Sequence, residues 1–483
     1  MLTQLSTQDA SFAFMETKAT PMHIGAVYLY KQPTAADGQP VAALAEADIL
    51  KYFEERLHLW PFSRQRLIRV PFDLDYPYWI EDGEFDLEYH VRRIALPSPG
   101  DWSTLMEVSA RIFSRPLDFS RPLWEFYLIE GVQIPGVVEN GIAILSKTHH
   151  AAVDGASGMH LIAQLHELTP HGSNVPRPER SWRPDPVPSD VELMMRTGVR
   201  NTLQPFRFAQ TLARTMSRVQ LPSGGELMSS GTRPRQMARV VPKTRFNGRV
   251  TASRVAGGHE FELSRLKPMR AAVAGATVND AVLAICGGGL RRYLHAKREL
   301  AGDSLVAMAP VNIRKEGDIG KGNQVSALFV PIGTEIADPI ERLQSIQAAT
   351  SVSKAVNNAV GARMLTDYQQ FVPAVTMAQA GRLSTTMAQL PNPPFNVSIT
   401  NVPGPQVPLY AVGAELVTSV GLGPITHGMG LIMPVTSYCG RIMLGFVSCR
   451  SMMPDPEFYV ECLQESLEEL EAAAVVAVKE SAA

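Results

Sequence analysis

The stretch Ile142-Ala143-Ile144-Leu145-Ser146-Lys147-Thr148-His149-His150-Ala151-Ala152-Val153-Asp154-Gly155 decides how this chain is read. Its first four residues form an unbroken apolar run, the mark of a buried strand. Beyond Gly155, residues Met159, Leu161, Ile162, Leu165 and Leu168 recur at helical spacing. The polar motif therefore falls on the turn between a strand and a helix, where a side chain is held rigidly and still reaches a cleft. Adjacent His149 and His150 point in different directions and cannot share one task. One is a candidate general base and the other is scaffolding. A competing reading makes both of them satisfied core histidines at a strand end. A zinc site is not expected, because the spacing lacks an i, i+4 His pair on one helical face.

The chain has 483 residues, enough for two or three domains that each bury a full core. Apolar residues make up 45%, charged residues 19%, and the net charge is -2. No basic excess points to nucleic acid. Cys286, Cys439, Cys449 and Cys462 lack metal or redox spacing and read as free thiols of a reducing cytosol. The opening Met1-Leu2-Thr3-Gln4-Leu5-Ser6 has neither the basic nor the apolar region of a signal peptide. Apolar segments are interrupted too early to span a bilayer, as Asn279 and Asp280 interrupt residues 271–290. Lipid contact, if made, is peripheral, and the expected location is cytoplasmic.

Upstream of the motif, Ser6 and Asp9 mark a helix start, and residues 24–30 read as a strand entered through Pro21-Met22-His23. His23 reads as structural, bonding a backbone group. Residues 46–59 look helical. Asp101 and Ser103 can cap a helix that stops before Pro116, and Pro122-Leu123-Trp124 opens a strand. Asn140-Gly141 is a turn signal, so this strand and the motif strand are expected to pair. The character changes between about residues 170 and 246, where prolines 176, 178, 184, 186 and 188 make an extended connector. Residues 191–219 follow as a helical candidate carrying Arg196, Arg200, Arg207, Arg214 and Arg218 among apolar residues. Such a basic, apolar surface can meet anionic lipid head groups or a nucleotide phosphate, or simply pack on its own domain. Further on, Thr277 caps a helix over Val278-Asn279-Asp280, strands occupy 305–313 and 325–332, and residues 342–364 are largely helical. Short strands follow at 396–401, 415–420, 430–435 and 441–447. Asp455-Pro456 opens a last helix with Leu463, Leu467, Leu470 and Ala474 on one stripe. Helices mixed with hairpin-joined strands argue an α+β fold over a doubly wound sheet.

His149-His150-x-x-x-Asp154-Gly155 resembles the active-site signature of the CoA-dependent acyltransferase superfamily. Pro21-Met22-His23-Ile24-Gly25, Ser120-Arg121-Pro122-Leu123-Trp124-Glu125, Val278-Asn279-Asp280, Pro310-Val311-Asn312-Ile313-Arg314 and Asn401-Val402-Pro403-Gly404-Pro405 narrow the resemblance. Together they look like the bacterial wax ester synthase/diacylglycerol acyltransferases, in that family's order and over residues 3 to 475. The resemblance implies two similar layered α/β-sandwich domains with the active site in a tunnel between them. The chain divides accordingly into residues 1–175, a connector with a basic helical segment at 176–248, and residues 249–483. The resemblance also implies that His150 is the general base and that His149, Asp154 and Gly155 complete the motif. Asp154 would hold local structure through an arginine and would not itself take a proton. Pro122, Leu123, Trp124, Asn401, Pro403 and Gly404 are the expected substrate-binding residues. Trp124 reads as a core anchor or tunnel wall and not as a chemical participant, and Pro403-Gly404-Pro405 as a rigid bend that shapes the site.

The implied reaction moves a long-chain fatty acyl group from acyl-CoA to a fatty alcohol or a diacylglycerol, with no cofactor. An alcohol attacks a thioester poorly unless its proton leaves as the bond forms, a task suited to neutral His with a pKa near ~6.5. No Ser or Cys sits in a nucleophile elbow, which agrees with direct attack and no acyl-enzyme. Asn279 is the candidate oxyanion donor, although the same residue could satisfy a helix terminus. The rivals are a condensation-type enzyme that takes its donor from a carrier protein, and a non-catalytic lipid-droplet binding protein. The expected partners are acyl-CoA, the alcohol or diacylglycerol, and a membrane or lipid-droplet surface.

Overall fold

In the computed structural model, the residues described are 2–32, 46–153, 163–170, 175–178, 182–184, 186–202, 241–312, 325–360 and 373–482. Asp154 and Gly155 lie outside them, as do Met159, Leu161, Ile162, Ile313, Arg314 and most of the basic segment. The architecture is α+β, built on two six-stranded mixed sheets and a small three-stranded one. The small sheet pairs β1 (Thr3–Gln4) and β3 (Gln65–Ile68) with the central β4 (Tyr78–Glu81).

The first large sheet contains β2 (His23–Lys31), β5 (Val91–Ala95), β6 (Trp124–Ile134) and β7 (Val138–His149). The second is made of β8 (Arg254–Glu262), β9 (Val306–Asn312), β10 (Val325–Pro331), β11 (Val397–Val402), β14 (Leu431–Tyr438) and β15 (Arg441–Cys449). Two further strands, β12 (Tyr410–Ala411) and β13 (Ala414–Leu422), belong to the carboxy-terminal half in sequence but join the first sheet. Antiparallel pairing sets Glu415 opposite Lys31 and Leu422 opposite Gly25. A contiguous cut at residue 249 thus leaves the first sheet two strands short. Nor does the connector run to 248. Thr244 and Asn247 form a reciprocal cap, Phe246 is fully buried in the main core, and Asn247 donates to the carbonyls of Phe395 and Gly428.

Seven helices matter for the site and its support: α1 (Thr7–Met15), α2 (Glu46–Glu54), α3 (Trp102–Phe113), α4 (Val278–Ala296), α5 (Pro339–Val360), α6 (Ala374–Leu383) and α7 (Pro456–Ala482). Ser6 and Asp101 cap α1 and α3 through their side chains, and Thr277 with Asp280 forms a capping box on α4. Leu463, Leu467, Leu470 and Ala474 of α7 are all fully buried, as their spacing requires. The main core draws on both halves, including Leu105 and Phe113 of α3, Val255 of β8 and Leu463 of α7. Arg254 of β8 donates to the Ala19 carbonyl just ahead of β2, a second stitch between the halves.

β6 and β7 pair antiparallel, yet their turn is at 135–137 and not at Asn140-Gly141. Asn140 sits inside β7 with φ +54, where the register shifts, so the dipeptide marks a bulge. Leu168 is off the apolar stripe expected of it: it is 71% exposed, beyond the short helical turn at 163–165.

Candidate active site

β7 is an inner strand of the first sheet, flanked by β2 and β6, and its last residue is His149. Burial on both sides explains the continuous apolar run at 142–145. Both neighbours hold the motif just past the end of regular pairing. The His149 N–H donates to the Leu123 carbonyl at 2.9 Å, and the His150 N–H to the Met22 carbonyl at 2.8 Å. Gly25 makes this close packing possible. A Cβ there would lie 2.0 Å from the Ser146 carbonyl oxygen and force β2 off β7.

His149 is fully buried, with both ring nitrogens in use. Nδ1 accepts the Ala151 N–H at 3.0 Å, so the ring proton sits on Nε2, which lies 3.0 Å from Oε2 of Glu16. The same carboxylate oxygen accepts the Met22 N–H at 2.7 Å. The edge of Phe119 closes the remaining side, its ring centroid 5.3 Å away. His150 keeps partial exposure, and its ring stacks on Phe12 with centroids 3.9 Å apart and an 11° interplanar angle. Glu16 and Phe12 carry no local signature, which is why sequence reading passes over them.

A charged layer sits beneath the histidines. Lys147 is fully buried with its ammonium 3.3 Å from Oε2 of Glu125, which also accepts the Tyr127 hydroxyl at 3.0 Å. Arg92 approaches the other Glu125 oxygen at 3.6 Å. Burial pulls the Lys147 pKa below its ordinary value, and the Glu125 charge opposes that shift. His23, paired with His149 across β2 and β7, meets the Phe113 carbonyl through Nε2. Burial first, and the Lys147 charge second, hold it well below the usual histidine range, so it is neutral.

Pro122-Leu123-Trp124 supports the motif from behind. Leu123 and Trp124 are each 1% exposed, which leaves no side-chain surface for a ligand. Trp124 donates to the Ser63 carbonyl at 2.7 Å and stacks on His90, while Leu123 packs among Leu5, Phe14 and Ala151. Their assignment as substrate-binding residues does not fit this packing. Pro122 is half-buried at the strand entrance.

Asn279 and Asn401 meet each other. The half-buried Asn279, on the first turn of α4, accepts from Nδ2 of the exposed Asn401 at 3.4 Å. Neighbouring Asp280 is taken by Thr277 and Thr350 and is structural. Pro403 is exposed, and the Gly404 N–H donates to the Ser437 hydroxyl at 3.2 Å. A Cβ on Gly404 would come within 2.1 Å of the Ser437 carbonyl oxygen, so this turn presses directly on β14. A cavity of about 400 Å³ opens between α3, β8 and α7, walled by Trp102, Met106, Arg254, Arg450, Glu457 and Val460. Its wall contains neither motif histidine, so it is not the tunnel expected at His150. Among the described residues, no group of three His, Cys, Asp or Glu side chains could hold a metal.

Residues 5–282 match the wax ester synthase/diacylglycerol acyltransferase catalytic domain, and residues 321–471 match the WS/DGAT C-terminal domain. The chain belongs to this family. It is an acyltransferase. A Mycobacterium tuberculosis protein with a provisional diacylglycerol O-acyltransferase name is 31% identical over 474 residues, covering 97% of this chain and 90% of its own. The wax ester synthase/diacylglycerol acyltransferase from Marinobacter aquaeolei VT8 superimposes with a TM-score of 0.66 at 26% identity, covering 98% of this chain and all of that one. The starter condensation domain of rhizomide synthetase shares the fold alone, at TM-score 0.56 and 12% identity over 98% of this chain and 94% of its own.

Proposed function

We propose that this acyltransferase moves a long-chain acyl group from acyl-CoA to the hydroxyl of a fatty alcohol or a diacylglycerol, with His150 as the general base. One observation carries the assignment of the base. His149 is fully buried with both ring nitrogens in hydrogen bonds, whereas His150 retains exposure at the end of a rigid strand. In the proposed step His150 takes the hydroxyl proton as the alcohol oxygen bonds to the thioester carbon. The tetrahedral intermediate then collapses, the C–S bond breaks, and the departing sulfur receives the proton from His150. Base catalysis of this kind contributes on the order of 10² to 10⁴ in rate.

Asn279 is the proposed oxyanion donor. With its carbonyl oxygen accepting from Asn401, its amide N–H groups are the ones left to donate. Asn401 thus acts on Asn279, and Pro403 and Gly404 set the turn that follows β11. Asp154 keeps its proposed structural role in the motif.

The test combines purified protein, palmitoyl-CoA, and either hexadecanol or a diacylglycerol, with free CoA followed over time. Acceptor-dependent CoA release is expected, and its loss in His150→Ala. Release that does not depend on either acceptor would reject the reaction. Release in full by His150→Ala would reject the base.

Residues 190–202 form a helix that supports peripheral lipid contact. Leu193 and Thr197 face inward, while Val191 at 65%, Met195 at 62% and Val199 at 64% exposure line the opposite stripe, with Met194 on its flank. Its arginines are already committed, Arg196 to Glu192 and Arg200 to Asp75. The attraction proposed for this helix is therefore apolar, while Arg207, Arg214 and Arg218 of the basic segment lie outside the described residues. No helix among the described residues is long and apolar enough to cross a membrane.

A further inference from the structure

We propose that Glu16 is a positioning residue for the general base, acting through His149 and Met22, and that Phe12 holds the plane of the base's ring. This rests on His150 being the base. Phe12 is on α1 and Glu16 is its C-cap, four residues on, so both contacts come from one face of one helix end. Glu16 reaches His149, and Phe12 covers His150.

The connections form a closed path. Oε2 of Glu16 accepts from the His149 ring and from the Met22 N–H, and the Met22 carbonyl accepts the His150 N–H. One carboxylate thereby fixes the tautomer of the first histidine and, through one residue, the backbone of the second. The Ala151 N–H on Nδ1 of His149 completes the constraint, because it leaves only Nε2 to carry the proton. Glu16 is nearly buried, its side chain 9% exposed, and among the described residues no Lys or Arg forms an ion pair with it. Burying a carboxylate without a directly paired cation is costly, and two N–H donors with the more distant Lys147 charge only partly offset it. An apolar side chain would pack there more cheaply, so the carboxylate's worth lies in what it orients. α1 is itself braced by α6, with Ala374 and Ala378 in the same apolar cluster as Ala10 and Phe14.

The test compares Glu16→Leu, Glu16→Gln and His150→Ala in the CoA-release assay, with the melting temperature recorded for each. Glu16→Leu removes the oxygen that accepts both N–H groups; kcat is expected to fall about 10- to 100-fold, the usual cost of losing an orienting partner, with KM for acyl-CoA little changed. Glu16→Gln keeps an oxygen for both N–H groups and is expected to recover most of that loss, although neutral acceptors bond roughly half as strongly. Wild-type kcat in Glu16→Leu, or a Gln variant as impaired as the Leu variant, overturns the proposal. If His150→Ala is inactive while Glu16→Leu is normal, only the positioning role fails. If His150→Ala is active, the base assignment fails. Should Glu16→Leu not fold, ring ¹⁵N shifts of the histidine-labelled wild type still decide, with His149 assigned by its absence in His149→Gln. A proton on Nε2 of His149 supports the proposal, and a proton on Nδ1 overturns it.

Discussion

At the scale of single residues, the two motif histidines separate by what surrounds them. His149→Ala removes a fully buried ring with two hydrogen bonds and leaves Glu16 without its partner. Loss of stability of about 2–4 kcal/mol is expected, as for other buried groups whose polar partners are orphaned. His150→Ala is expected to cost far less stability and nearly all turnover, so melting curves and rates should rank the two variants in opposite orders. The layer below makes its own prediction. Glu125→Leu strands the buried Lys147 ammonium and should cost about 3–5 kcal/mol, whereas Glu125→Leu with Lys147→Met should recover most of it. Urea unfolding of the two variants checks this, and equal losses would contradict the pairing. The histidines also set a pH response. Burial lowers the pKa of His23 and of His90 in the folded chain, while the unfolded value is near ~6.5. The unfolded state therefore binds more protons below that pH, so their contribution is intact above about 6.5 and is lost as pH falls further. The melting temperature should drop between pH 7 and 5.5, and less steeply in His23→Gln. The place of the histidine pair at the end of a buried strand, and of Asn279 on the first turn of its helix, was legible because residue type and spacing carry it. Glu16 was not, because 133 residues separate it from the ring it holds.

Among elements, those whose burial follows a strict period were the legible ones. The motif strand has a continuous apolar run because both faces are covered, and α7 shows its buried stripe at the spacing a helix demands. The signal failed where local chemistry has two outcomes. Asn-Gly serves a hairpin turn or a bulge equally well, since both accept positive φ, and only pairing with β6 selected the bulge. The Pro122-Leu123-Trp124 stretch was ambiguous for the same reason: a large aromatic at a strand start can line a tunnel or fill a core. The 190–202 helix gives the prediction at this scale. Replacing Val191, Met195 and Val199 together by Gln leaves Leu193 and the Arg200–Asp75 pair in place. The fold should survive with an unchanged melting temperature, and flotation with phospholipid vesicles should weaken. Unaltered flotation would return this stripe to simple exposed surface.

For the whole molecule, the exchange of β12 and β13 matters most, and sequence could not have shown it. Residues 414–420 alternate buried and half-buried positions like any strand facing a core, and nothing in that pattern names the sheet they join. The consequence is a strand-to-strand linkage between the two halves, beside the packing of α3 on β8. β13 covers the edge of β2, the strand that holds His149 on its other side through the His23 pairing. Removing it would expose unpaired N–H and C=O groups along Ala26, Val27, Tyr28, Leu29 and Tyr30, all buried in the intact chain. An uncovered apolar edge of this length is a template for aggregation. A fragment ending at residue 248 should therefore aggregate when produced alone, despite carrying both motif histidines. Supplying residues 249–483 as a second chain should restore a soluble heterodimer on size-exclusion chromatography, because it returns β13 to β2. A monomeric, folded fragment of residues 2–248 would show instead that the borrowed strand is dispensable, and that the motif is supported from within its own half.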